Sequence, residues 1–304
     1  MTKQTIAHIT LTFVTLIWGI TFTIVKDTIS FIDVYIFLFQ RFLLAFLLFI
    51  PFVIFYKKEF HKKTFTHGLI LGTLLFLAYA FQTIGLKYTL AANAAFVTGL
   101  NVVIVPIINS LLFKKYIPLN AKIGSVISSI GLALLCINND FNINKGDIIV
   151  FFCAIFVALH IIYTDKYTKH NNAFNLAFVQ MGTIALLSGI CAIFYGNGLK
   201  LFVIHKNTIW AIILCSVFAS NFAFWAQTYF QRFTIPTKTA IIFCGEPVFA
   251  AIFAYFYGGE ILTLRSIFGG LLIIFSMIIS EVNFDKVRSK KSMEIISKAK
   301  KAHS

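Results

Sequence analysis

The sequence of residues 82–103 is QTIGLKYTLAANAAFVTGLNVV, and residues 227–248 read QTYFQRFTIPTKTAIIFCGEPV. The two segments align without a gap at one offset of 145 positions, which carries position 82 onto position 227. Identical or related residues recur at this offset: Gln82 and Gln227, Thr83 and Thr228, Lys87 and Arg232, Thr89 and Thr234, Ala95 and Ala240, Val103 and Val248. An apolar chain built from two related halves is typical of a transporter whose site lies where the halves meet.

The composition places the chain in a membrane. Of its 304 residues, 59% are hydrophobic and only 12% are charged, whereas a soluble domain carries about 25% charged residues. A helical span needs about 20 apolar residues. Ten runs meet this need: 5–25, 33–56, 66–85, 93–113, 120–137, 146–164, 174–194, 208–230, 237–257 and 264–281. We therefore expect an all-α membrane protein with ten transmembrane helices.

The lysines and arginines indicate the orientation of these helices. If both termini are cytoplasmic, the inner side carries 19 of the 26 basic residues and the outer side carries six. Because inner loops of membrane proteins are enriched in Lys and Arg, this topology is favoured, and it requires an even number of spans. The net charge of +15 is thus a topology signal, and we expect no nucleic-acid partner.

The polar loop at 138–147 divides the runs into five and five. Since five is odd, the second half must enter the membrane from the opposite side, which gives an inverted repeat. We expect one five-helix repeat over 5–137, a second over 146–281, and a basic cytoplasmic tail over 282–304. The tail carries seven basic residues and is expected to rest on anionic lipid.

Signatures of other function classes do not occur in the chain. It has no phosphate-cradling glycine loop with a lysine, no His-Glu-x-x-His and no Gly-x-Ser-x-Gly, so neither an enzyme nor an ATP-driven pump is indicated. The five cysteines fall inside apolar runs without a Cys-x-x-Cys pair, and we interpret them as buried packing residues. We expect no cofactor and no metal.

Glu246 is a candidate functional residue in the second half. It lies between Gly245 and Pro247, where proline frees main-chain carbonyls of the preceding turn. A carboxylate there could bind a substrate amine or carry a proton, or it could be a protonated structural acid. The repeat pairs it with Asn101, and Pro106 follows about one turn later. Corresponding helices of the two halves thus share a polar residue and a nearby proline that weakens the helix. This pattern is expected where a central site lies.

Arg41 and His160 are two further ionisable residues within apolar runs. Arg41 could contact an anionic substrate or steady a bent neighbouring helix; the alternative is a structural arginine bonded to carbonyls or reaching outward. His160 shares a helix face with Tyr163 and suits proton coupling, although a lone histidine is also found as a packing residue.

Polar side chains form stripes on several of the predicted helices. They could line a path for a substrate or form hydrogen bonds between helices. Trp18 could likewise form part of the cavity wall or serve as a packing residue. The stripes comprise Asn93, Thr98, Asn101 and Asn109; Tyr79 and Gln82; and Asn221, Trp225 and Thr228. Four glycines, by contrast, are interpreted as sites of close helix approach: Gly124, Gly131, Gly269 and Gly270.

Four segments resemble the EamA-like family of the drug/metabolite transporter superfamily. They are Trp18–Phe22, Arg41–Ala45, Lys87–Ala95, and Glu246–Ala251 followed by Tyr257–Thr263. The resemblance covers about residues 8–281. It implies ten helices in two inverted five-helix repeats, with a cavity lined mainly by helices one, three, four, six, eight and nine.

The same resemblance implies transport of small metabolites by alternating access, often outward and without ATP. We therefore expect a secondary transporter of an amino acid or related compound in the bacterial cytoplasmic (inner) membrane, with export favoured. Import of a host or environmental metabolite is the alternative, because a chain rich in Phe, Ile, Lys and Asn fits the AT-rich genome of many intracellular bacteria. A remote alternative is an intramembrane lipid-modifying enzyme that uses His160 and Glu246.

Overall fold

The described part of the chain is helical. The computed structural model describes residues 1–136, 144–196, 201–202, 206–258 and 263–281, and no strand occurs among them. Eight helical segments are long and apolar enough to cross a membrane, and two apolar helices, Leu119–Leu135 and Leu264–Ser280, are shorter. The protein is a multi-pass helical membrane protein, as predicted. The basic tail and most of the polar loop at 138–147 lie outside the described residues.

Each of the ten apolar runs coincides with one helix or with helices in line, and the boundaries differ by a few residues. Runs four and nine are divided in two, and run eight contains a π-helical segment at Cys215–Phe222. In chain order the helices are α1 (Lys3–Thr28), α2 (Val34–Phe55), α3 (Lys62–Leu86), α4 (Ala91–Gly99), α5 (Asn101–Leu111), α6 (Leu119–Cys136), α7 (Lys145–Thr168), α8 (Ala173–Tyr195), α9 (Ile209–Leu214), α10 (Ala223–Phe230), α11 (Pro236–Phe243), α12 (Glu246–Gly258) and α13 (Leu264–Glu281).

The two halves of the chain interlock. The most extensive contacts pair α6 with α13, α2 with α8, α3 with α7 and α8, and α1 with α12, so each joins a helix of the first half to one of the second. Glycines permit the closest of these approaches. A Cβ added at Gly131 would lie 2.7 Å from the main-chain oxygen of Gly269, and the hydroxyls of Ser128 and Ser276 bond across the same pair of helices. The core is therefore shared between the halves.

The start of α7 is also tied to the first half. Asn144 and Asp147 form a capping box, in which each side chain bonds the other residue's main-chain N–H. The other carboxylate oxygen of Asp147, Oδ1, accepts a hydrogen bond from the Thr89 hydroxyl at 2.6 Å. Because this aspartate is buried, the two bonds that its carboxylate accepts compensate for its removal from water.

Helix breaks occur at equivalent points of the two halves. α5 begins at Asn101 and α12 begins at Glu246, the two positions that the repeat pairs. Pro247 is the second residue of α12. Its missing N–H costs no hydrogen bond there, because N–H groups in the first turn of a helix have no intrahelical acceptor. The first-half break differs from the expectation, because it lies at Leu100 and not near Pro106.

The helix continues through Pro106 for a local reason. A proline inside a helix leaves the carbonyl four residues earlier without its usual N–H donor, and here that carbonyl belongs to Val102. The Ser125 hydroxyl of α6 donates to the Val102 oxygen at 2.5 Å. Since the freed acceptor has a new partner, the proline does not end α5.

Candidate functional site

A cavity of ≈ 60 Å³ lies among α1, α2, α3, α4, α7, α10, α11 and α12. This volume holds several water molecules, since one needs about 10–15 Å³. Aromatic rings of Trp18, Phe22, Phe224 and Phe243 form part of the wall. The other lining side chains include a set of polar ones: Thr21, Arg41, Tyr79, Gln82, Thr83, Thr98, Cys153, His160, Gln227 and Glu246.

The residues selected from the sequence divide into two groups. Those on the cavity wall are Trp18, Arg41, Tyr79, Gln82, Thr98, His160, Gln227 and Glu246. Those outside the wall are Asn101, Pro106, Tyr163, Trp225 and Pro247. The fold thus brings together side chains from both halves of the chain, including Gln82 and Gln227, which the 145-position offset pairs.

Glu246 reaches the cavity from the first turn of α12. Its side chain is partly exposed there, and among the described residues its carboxylate has no hydrogen-bond or ion-pair partner. A carboxylate at membrane depth without a protein partner is costly. A ligand that carries a donor would provide that partner.

Arg41 is only 2% exposed, although it lines the same cavity. Its guanidinium lies 5.0 Å from the ring centre of Phe42 and 4.8 Å from that of Tyr79, which is within cation–π range. Nε donates to the Ser220 hydroxyl at 2.8 Å, and NH2 lies 3.4 Å from the Tyr79 hydroxyl. No carboxylate among the described residues pairs with it.

The π-helical segment Cys215–Phe222 meets Arg41 and Trp18. The Ala219 carbonyl accepts the Trp18 indole N–H at 2.8 Å and lies 3.5 Å from the Arg41 NH2. Ser216 in turn donates to the main-chain oxygen of Arg41 at 2.9 Å. π-Helical turns inside α-helices are frequently found at functional sites. Arg41 therefore contacts an irregular neighbouring helix as well as the cavity.

Three more wall residues are held by amide hydrogen bonds. Gln82 donates to the Thr98 hydroxyl at 3.2 Å. His160 Nε2 lies 3.0 Å from Gln180 Oε1. Gln227 donates to Gln231 Oε1 at 3.2 Å.

The predicted residues outside the wall have other partners. Asn101 donates to the main-chain oxygen of Thr98 at 2.8 Å. Tyr163 packs on the rings of Phe113 and Tyr167, and Trp225 stacks between those of Phe174 and Tyr229.

Sequence reasoning missed Gln180, Gln231 and Ser220, which hold wall residues in place. Gln231 follows Gln227 by four positions, so helical spacing could have linked the two. Gln180 and Ser220 are separated from their partners by 20 and 179 positions, and no local pattern connects them.

Close approach at Gly19 sets the position of Glu246. A Cβ at Gly19 would lie 2.7 Å from the main-chain oxygen of Glu246 and 3.0 Å from the main-chain nitrogen of Ala250. Both atoms are backbone, so α12 as a whole would have to shift. Gly189, in contrast, faces only the ring of Phe39, which can move.

We expect Gly19→Ala to destabilise the protein by about 1–3 kcal/mol, the usual cost of overpacking, and to lower transport because Glu246 moves. Thermal unfolding in detergent and flux in proteoliposomes measure the two effects. Gly189→Ala is the control and should cost less. Equal melting temperatures for wild type and Gly19→Ala would contradict the close approach.

Comparison with known proteins identifies the family. The model of the EamA-like transporter family matches residues 5–137 and again residues 144–281. A protein of Archaeoglobus fulgidus named an uncharacterized transporter is 35% identical over 277 residues, covering 91% of this chain and 86% of that protein. The uncharacterized transporter YyaM of Bacillus subtilis is 24% identical over 274 residues, covering 86% and 88%.

The fold has a counterpart among solved structures. One crystal structure superposes with a TM-score of 0.74 over 91% of this chain and 96% of its own, at 13% identity, which is a likeness of fold alone. The family match spans nearly all the described residues, and it confirms the resemblance carried by the four sequence segments. The chain belongs to the EamA-like transporter family.

Proposed function

We propose that this protein is a secondary transporter that carries a small metabolite, an amino acid or related compound, across the bacterial cytoplasmic membrane by alternating access, with export as its working direction. One observation carries the proposal. A guanidinium and a carboxylate, those of Arg41 and Glu246, line one cavity without forming an ion pair with each other or with another described residue. A small zwitterion has the complementary pair of charges.

The proposed arrangement is ten spans in two inverted five-helix repeats, over 5–137 and 146–281, with both termini cytoplasmic. It is supported by the double family match, by the equivalent helix breaks at Asn101 and Glu246, and by the excess of basic residues on one side. The basic tail at 282–304 would then rest on anionic lipid of the inner leaflet. His160 is the proposed candidate for proton coupling.

An intramembrane lipid-modifying enzyme is less well supported. Such an enzyme would need His160 and Glu246 to act on one group within hydrogen-bond reach. Both line the cavity, but the described bonds of His160 Nε2 go to Gln180 and Thr164.

Flux in proteoliposomes tests the proposal. We expect purified protein to exchange at least one labelled amino acid of a panel faster than protein-free vesicles do, without ATP. A pH gradient imposed in each direction reports on proton coupling, and efflux from loaded cells that express the gene distinguishes export from import. Flux equal to that of protein-free vesicles for the whole panel would contradict the proposed substrate class.

A further inference from the structure

Two hydrogen-bond relays determine which atoms the cavity wall leaves free. The first begins at the main-chain oxygen of Ile161, which accepts the side-chain NH₂ of Gln231 at 2.5 Å. A carbonyl oxygen only accepts, so the orientation of the Gln231 amide is determined. Its own oxygen must then accept the NH₂ of Gln227, at 3.2 Å.

The consequence falls on Gln227. Its NH₂ is engaged with Gln231, so its side-chain oxygen is the atom left over. That oxygen is buried and has no hydrogen-bond partner, while Gln227 itself is 2% exposed and lines the cavity. A buried acceptor without a donor destabilises a protein relative to one that has a partner. A donor on a bound ligand would remove this cost.

The second relay follows the same logic on α7 and α8. The NH₂ of Gln180 donates to the main-chain oxygen of Leu176 at 3.3 Å, so the Gln180 oxygen faces His160 Nε2 at 3.0 Å. His160 must therefore carry its proton on Nε2. In the neutral ring Nδ1 is then an acceptor, and it has no hydrogen-bond partner among the described residues.

Some donors of the wall are engaged within the protein. Trp18 donates to the carbonyl of Ala219, and Arg41 donates to Ser220 with further contacts to Tyr79 and Ala219. Three acceptors on wall residues have no hydrogen-bond partner among the described residues: the Gln227 oxygen, His160 Nδ1 and the Glu246 carboxylate.

We infer that Gln231 and Gln180 are positioning residues which hold the acceptor atoms of Gln227 and His160 free for a ligand, and that the cavity thereby selects a primary ammonium group by its N–H donors. The inference rests on the proposed function, in that it names the substrate group which the transport site would recognise. A primary ammonium offers three donors and one positive charge, which matches two neutral acceptors and one carboxylate.

The repeat supports a specific role for Gln231. The offset that pairs Gln227 with Gln82 pairs Gln231 with Leu86, which has no polar atom in its side chain. In the first half Gln82 donates instead to Thr98. Of the matched pair Gln82 and Gln227, Gln227 is therefore the one held by a relay to a main-chain carbonyl. It lies in the same half as Glu246.

Two ligands with the same chain and charge separate donor recognition from charge recognition. The probes are n-butylammonium and N,N,N-trimethylbutylammonium at neutral pH, and their dissociation constants are measured by thermal-shift titration of the full-length protein in detergent. We expect the wild type to bind the primary ammonium about tenfold more tightly, because bonds to charged donors are strong. Equal affinities for the two ligands, or no binding of either, would overturn the inference.

Variants then assign the preference to the relay. Gln231→Leu should lose most of the tenfold preference, since the Gln227 amide is free to turn. Gln40→Leu is the matched control, because Gln40 donates to the main-chain oxygen of Leu201 outside the cavity; it should keep the preference. Adding Gln227→Glu to Gln231→Leu should restore it, because both carboxylate oxygens accept whichever way the group turns.

A purely structural role for Gln231 would give no such rescue, and a Gln231→Leu protein that keeps the full preference would overturn the relay. If Gln231→Leu does not fold, Gln227→Leu replaces it and must lose the same preference. Binding of the primary ammonium without any flux would contradict the transport proposal and leave this inference standing. Flux of substrates that lack N–H donors, together with equal binding of the two probes, would contradict this inference and leave the transport proposal standing.

Discussion

Replacing Glu246 by Gln should lower flux in proteoliposomes by at least about tenfold, because a hydrogen bond to a charged group contributes about 1.5–3 kcal/mol and each 1.4 kcal/mol is a factor of ten. The substitution keeps the size of the side chain and removes its charge. The carboxylate has no described protein partner. Its replacement therefore removes a contact to the ligand and no described contact within the fold. We therefore expect the amount of folded protein in the membrane to stay at the wild-type value.

The control for this experiment is Asp165→Asn, which also replaces a carboxylate by an amide. Asp165 pairs with Lys169 at 3.1 Å at the end of α7 and does not line the central cavity. Flux should be retained in this variant. If Glu246→Gln transports as fast as wild type at equal abundance, the carboxylate has no part in transport, and the proposed substrate contact is wrong.

A second large effect is expected at two adjacent glycines of α13. A Cβ at Gly269 would lie 2.5 Å from the Gly131 main-chain oxygen and 2.9 Å from the Leu134 main-chain carbon, whereas one at Gly270 would lie no closer than 3.6 Å, to a methyl of Val248. Gly269→Ala should therefore separate α13 from α6 and cost about 1–3 kcal/mol. Gly270→Ala should be neutral or stabilise slightly, since alanine is favoured in helices by about 0.5–1 kcal/mol.

The comparison uses thermal unfolding of the two purified variants in the same detergent. The pair is closely matched, because the substitutions are identical and one residue apart on one helix. The packing described for α6 and α13 requires a lower melting temperature for Gly269→Ala than for Gly270→Ala. The opposite order would contradict it.

Much of the cavity wall could be predicted because membrane depth makes polar residues conspicuous. Glu246, Arg41 and His160 were selected because ionisable groups are expensive in hydrocarbon, and the repeat added Gln82 opposite Gln227. All five line one cavity. Their assignment to substrate binding stays a prediction.

The break in the first half was predicted less well. Proline marks a helix break only if nothing replaces its missing bond, and the Ser125 hydroxyl of α6 does so here. The sequence contains both residues, but their contact depends on how α5 and α6 pack. The π-helical segment is similar, since it contains neither proline nor glycine to mark an irregularity. Its Ala219 carbonyl is contacted by Trp18 and Arg41 from other helices, and no local pattern predicts those contacts.

Asn101 shows the limit of the repeat as a guide. The offset pairs it with Glu246, and both residues begin a helix after a break. Yet Asn101 donates to the Thr98 carbonyl one turn earlier and does not reach the wall. A short amide can bond its own local backbone, which a longer carboxylate in the second half does not do. Equivalent positions therefore need not have equivalent contacts.

The pairing of α6 with α13 has a consequence for biosynthesis. α6 ends at Cys136, and its most extensive contact is with a helix that begins at Leu264. While the ribosome synthesises the residues between them, the surface of α6 around Gly131 has no protein partner and is covered by lipid or by the insertion machinery. Among the described helices α13 is the last in the chain, and it completes the packing of α6. A chain that stops before Leu264 therefore leaves α6 without its main neighbour, with the surface around Gly131 uncovered.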